Sequence, residues 1–113
     1  MTLTAEQFKS RLGTPQHRFA DTLAFIEQHY HYQPSGFHNG PLYNSAEQNQ
    51  GSCRLLAMAQ DLGLDTQQAL HCFAEHYQGV LDDPTGSEHA NIRTLMQHGL
   101  EAVRFDRPPL TRR

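Results

Sequence analysis

From Gln33 to Gln50 the chain shows no helical or strand period, although apolar stripes with helical spacing stand on both sides. Its heart, Phe37 to Cys53, reads FHNGPLYNSAEQNQGSC, a run dominated by asparagine, glutamine, glycine and serine. Stretches of this length without structure are uncommon inside a compact domain and are usually functional or mobile. The segment is therefore a linker, a catalytic loop, or a loop tied down by hydrogen bonds. If protein covers it, each of its amides and carbonyls needs a partner. Phe37, Leu42 and Tyr43 offer apolar anchors, and Asn39-Gly40 and Asn44-Ser45 are turn formers. We expect an ordered loop docked on the start of the last helix.

The flanking sequence reads as helices joined by turns. Thr4-Ala-Glu-Gln7 is a capping-box pattern opening a short helix that stops at Gly13. Thr14-Pro15 predicts the next start, and Phe19, Leu23, Ile26 and Tyr30 lie at helical spacing until Pro34. Leu55, Met58, Ala59 and Leu62 form a third stripe ending at Gly63, and Asp65-Thr-Gln-Gln68 caps a fourth helix running to about Leu81. Ser87 is the expected cap of a last helix carrying Ile92, Leu95 and Met96, ended by Gly99. The tail 100–105 alternates weakly, as a short extended piece would, and Pro108-Pro109 is expected to end all structure. The periodicity predicts an all-α fold: one domain over 1–113, about five helices and one long ordered polar loop.

With 113 residues the chain is near the commonest domain size and can bury a real core. A mean hydropathy of -0.67 is polar, but ten Phe and Tyr residues argue against disorder. Net charge -3 and a pI near 6.2 carry no electrostatic footprint for nucleic acid. No apolar run approaches membrane-spanning length, so no membrane partner is expected. No signal-peptide pattern opens the chain, so a reducing compartment and free Cys53 and Cys72 are expected.

Candidate chemistry is sparse. Asn49-Gln50-Gly51-Ser52-Cys53 matches the NQGSC run of papain-like proteases, but their nucleophile position falls on Leu56 here, and the match is rejected. Cys53 in a first helical turn feels the positive end of the macrodipole, which favours thiolate. Its apolar neighbours Leu56 and Met58 favour burial instead. His71 and Glu75 are spaced to chelate from one helix face, yet no second pair joins them, and neither a metal nor a cofactor is expected. In Ser87-Glu88-His89-Ala90-Asn91-Ile92-Arg93, Asn91 is a poor helix former placed mid-helix, so something beyond propensity holds it there. His89, Asn91 and Arg93 either bind an anion at the helix start or satisfy the loop packed above it.

The combination of Phe19-Ala20-Asp21-Thr22, Tyr32-Gln33-Pro34, Phe37-His38-Asn39-Gly40, Asn44 through Arg54, Tyr77 to Leu81 and His89 to Arg93 resembles the HopJ family, named after a type III secretion effector of plant-pathogenic bacteria. The resemblance spans about residues 19–105. It implies a small, mainly helical domain of undefined biochemical activity. Two positions depart from it: the family carboxylate falls on Gln48, whose amide cannot act as an acid or base, and the family's Gly-Trp is Gly99-Leu100.

The expected function is a binding module for a small molecule or a protein. Its ligand-binding residues would be Asn39, Asn44, Asn49, Ser52, Cys53, His89, Asn91 and Arg93. No catalytic residue is assigned, and the oligomeric state is open. The alternatives are a small hydrolase or transferase using Cys53 or His89, and an exported effector acting on a host protein. With Thr4 already capping a helix, little N-terminal tail is left for an export signal, so a cytoplasmic protein is expected.

Overall fold

A computed structural model describes residues 3–113 of the chain. The Thr4 capping box forms: the Thr4 hydroxyl accepts the Gln7 amide at 3.1 Å and Gln7 Oε1 accepts the Thr4 amide at 2.9 Å, opening α1 (Ala5–Arg11). The Asp65/Gln68 box opens α4 (Thr66–Cys72) in the same way, at 2.7 and 3.0 Å. Between them run α2 (Phe19–His29) and α3 (Gln50–Asp61). After α3, Leu64 N–H returns to Ala59 O at 2.9 Å across Gly63 at φ 68, a helix stop that a side chain would strain. The remaining helices are α5 (Glu75–Asp82) and α6 (Ala90–His98), followed by a 3₁₀ turn, Leu100–Ala102.

The expected all-α class is overturned. Among the described residues five three-residue strands form two antiparallel sheets, and the domain is α+β. The polar segment itself supplies β2 (Phe37–Asn39) and β3 (Leu42–Asn44). They pair as a hairpin around Gly40-Pro41, with Phe37 opposite Asn44 and Asn39 opposite Leu42. Gly40 has φ 55, and Pro41 fixes a negative φ after it, the sequence a type II′ turn demands. β4 (Val103–Phe105) pairs on the other side of β2, and β5 (Leu110–Arg112) pairs with β1 (Tyr30–Tyr32). Pro108-Pro109 therefore does not end the structure; it leads into a strand that closes back over the end of α2. Strands of three residues pack into a core with too little length to display a period of two, so the sequence pattern hides them.

Three helix boundaries also move. Residues 14–16 turn instead of starting α2, because the Thr14 hydroxyl donates back to Arg11 O at 2.6 Å. α2 begins at Phe19, whose amide is taken by Glu75 Oε1 at 2.7 Å from 56 residues away. Ser87 does not cap α6; His89 precedes its first residue at φ 57 with no side-chain cap bond, and Arg93 wraps the preceding turn through Glu88 O at 2.6 Å. The predicted helix over 66–81 breaks at Ala74, which sits at φ 52, ψ -117. Few residues other than glycine adopt that backbone, at a cost of order 1–3 kcal/mol. Ala74→Gly is therefore expected to stabilise the fold by about 1 kcal/mol after the extra unfolded-state freedom of glycine, measured by urea denaturation. A loss of stability would show that the break is not strained.

α3 is the hub. Cys53 and Leu55 to Ala59 are buried around its whole circumference, as a helix enclosed by α2, α4 and β5 must be. Phe8, Phe25, Ile26, Phe37, Leu70, Phe73, Ile92 and Leu95 complete one core. Beside it lies the buried His17, edge-on to Phe8 at 5.3 Å. Its Nε2 meets Thr22 Oγ1 at 2.7 Å, and the Thr22 hydroxyl donates to Cys72 O at 2.8 Å. Thr22 has one proton to give, so Nε2 carries the imidazole proton. Burial lowers the His17 pKa below its ordinary 6.5, with Arg11 reinforcing and Asp21 and Glu75 opposing. Stability conferred by the neutral ring is complete above about 6.5 and is lost as pH falls through the lowered native value, because the unfolded chain takes the proton first. Denaturation between pH 8 and 5 should show this slope, and His17→Gln should flatten it. An identical slope in the variant would contradict the assignment.

Candidate functional site

The hairpin is tied to α6 through asparagines. Asn39 Nδ2 donates to Asn91 O at 2.9 Å and to Asn91 Oδ1 at 3.0 Å. Asn44 Nδ2 donates to the same Oδ1 at 3.2 Å, and Asn91 Nδ2 donates back to Asn44 Oδ1 at 3.0 Å. Asn49 Nδ2 completes the set on Asn44 Oδ1 at 2.7 Å. Asn39, Asn44 and Asn91 are buried, and an asparagine mid-helix is explained by what it holds. Gln50 fixes the other side of the segment. Its Nε2 lies at 3.3, 3.2 and 2.8 Å from the carbonyls of Ser35, Ser45 and Gln48, and its Oε1 accepts the Tyr32 hydroxyl.

This bracing brings the starts of α3 and α6 to one open cleft of about 360 Å³. Asn49, Gly51 and Ser52 line it from α3, and His89, Ala90, Asn91 and Ile92 from α6. Phe19, Phe73 and His76 form the facing wall. His76 and His89 stand with ring centroids 5.1 Å apart. Asn49 and His89 both enter their helices in the left-handed region, at φ 51 and φ 57. Neither side chain caps its helix, and neither first turn holds an acid. The other helix starts differ. Thr4 and Asp65 cap α1 and α4, Asp21 and Glu75 accept the first amides of α2, and α5 opens on Glu75 itself.

Of the sequence-predicted residues, Asn49, Ser52, His89 and Asn91 line the cleft; Asn39 and Asn44 brace it from behind. Arg93 does neither: its guanidinium is spent on Glu88 O and Pro84 O. Cys53 lies inside the core, with Sγ 3.6 Å from Ser35 O, and burial pushes its thiol up to about 11. Desolvation outweighs the helix dipole, and burial disfavours the Cys53 thiolate. Cys72 is likewise free and buried, raised to about 12. Phe19, Phe73 and His76 were missed because the break at Ala74, which turns the α5 start toward the cleft, has no signal in an alanine.

The geometry defines a small α+β domain built around a cleft between two helix starts. The sequence model described as HopJ type III effector protein matches residues 5–110, and the chain belongs to that family. The chain is also similar to a solved crystal structure of VPA0580, a protein of unknown function. The two share 35% identity at a TM-score of 0.92, over 100% of this chain and 97% of that one. No curated protein matches the chain. Among the described residues no helix is long and apolar enough to cross a membrane.

Proposed function

We propose that the domain is a binding module for a small molecule carrying an anionic group, seated in the cleft between α3 and α6. One observation carries this reading: the starts of α3 and α6, which have neither a side-chain cap nor an acid in the first turn, open on the same cleft. Free first-turn amides and the positive dipole end make such starts favourable for phosphate or carboxylate. His76 and His89 add donors, and no carboxylate lines the cleft. Its volume falls within the roughly 300–1,000 Å³ of small-molecule sites. A binding role is preferred to hydrolysis or group transfer because the cleft holds no acid and Cys53 is withdrawn from it.

Calorimetric titration with inorganic phosphate tests the reading. Saturable binding is expected in the native chain and loss of it in Ser52→Asp, which places a carboxylate in the first turn of α3. Absence of binding, or equal binding in Ser52→Asp, would overturn it. The buried free thiols suit a reducing cytoplasm, which we infer as the working compartment. Transport of a reporter fusion through a type III apparatus would point to the exported-effector reading instead.

A further inference from the structure

We propose that Asn39-Gly40 is a deamidation site held latent by the fold, so that a chain whose hairpin opens is converted to one that does not close again. With no side chain on the glycine, its backbone nitrogen approaches the asparagine Cγ unhindered, which makes this pair the most reactive of its kind. The Gly40 nitrogen bonds to Asn39 Cγ, the Cγ–Nδ2 bond breaks, and Nδ2 leaves as ammonia with the Gly40 proton. Water then opens the resulting succinimide to aspartate or isoaspartate. Structural need fixes both residues. Gly40 stands at φ 55, and a Cβ there would lie 2.9 Å from the His98 ring. Asn39 is 0% exposed and holds α6 through Nδ2. The closed hairpin blocks the reaction at both ends. The attacking Gly40 amide is engaged with Ala102 O at 3.1 Å, and the leaving Nδ2 is held by Asn91 O and Asn91 Oδ1. The products do not fit back. Aspartate would set a buried carboxylate against those two acceptors, which offer it no proton. Isoaspartate adds a backbone carbon to β2 and breaks its register with β3 and β4.

Peptide mapping by mass spectrometry, after incubation of the full chain in native buffer and in urea, tests the proposal. In denaturing urea Asn39 should deamidate ahead of Asn44, Asn49 and Asn91. In native buffer the same site should react at least about a hundredfold more slowly, since only the opened hairpin reacts. Equal rates in the two conditions would overturn the latency. Asn91→Ala removes one of the two acceptors of Asn39 Nδ2 and should speed deamidation in native buffer by about tenfold or more, with the rate in urea unchanged. An unaltered native rate in that variant would overturn the asparagine network as the gate. The chain without substitutions gives the same reading below its unfolding transition, where the rate should climb with urea; a rate independent of urea there would also count against gating. Asn39→Asp makes one product directly and should lose the cooperative unfolding of the native chain. Native-like stability in Asn39→Asp would overturn the one-way step.

Discussion

Phe37→Ala is expected to cost about 3–5 kcal/mol, the usual loss for a fully buried phenylalanine. Phe37 is 0% exposed although it belongs to the most polar segment of the sequence. It opens β2, lies opposite Phe105 on β4 with ring centroids 5.9 Å apart, and belongs to the single core. Domains of this size are stable by only some 5–15 kcal/mol, so the substitution should leave the chain marginal at 37 °C. Urea denaturation followed by circular dichroism measures it. A loss below about 1 kcal/mol would mean that the hairpin is laid on the surface of the domain and is not part of its core.

Asn91→Ala is expected to cost about 2–3 kcal/mol, from buried amides left unpaired and a small cavity. The loss is specific. Asn39 Nδ2 keeps the Asn91 carbonyl and Asn44 Oδ1 keeps Asn49, but Asn44 Nδ2 has no other acceptor among the described hydrogen bonds. Alanine's better helix propensity recovers only about half a kcal/mol. Arg93→Ala, two residues on, should cost well under half as much, since its guanidinium bonds exposed carbonyls of the preceding turn. Equal losses at the two positions would contradict the network as the device that seats the hairpin.

The sequence made the two local capping boxes legible because every atom they need lies within four residues. The burial of Cys53 was legible from Leu56 and Met58. Asn91 was legible as an anomaly: a residue at odds with its helix has a partner elsewhere, and the asparagines of the polar segment were the available ones. Long-range partners were not legible. β5 reaches β1 across some eighty residues, and nothing local in Leu110-Thr111-Arg112 announces it. The start of α2 depends on Glu75, and the wall of the cleft depends on a corner at Ala74 that helix propensity argues against. The site was therefore half visible, on the side built by the asparagine-rich segment and His89, and hidden on the side built by Phe19, Phe73 and His76.

We propose that the polar segment brings two helix starts without side-chain caps onto one anion-binding cleft. Titrating uniformly ¹⁵N-labelled protein with inorganic phosphate tests it residue by residue. The amides of Gly51, Ser52, Ala90 and Asn91 should shift together along one saturating curve, with those of α1 and α4 unmoved. Shifts confined to one helix start, or scattered over exposed arginines without saturation, would contradict it.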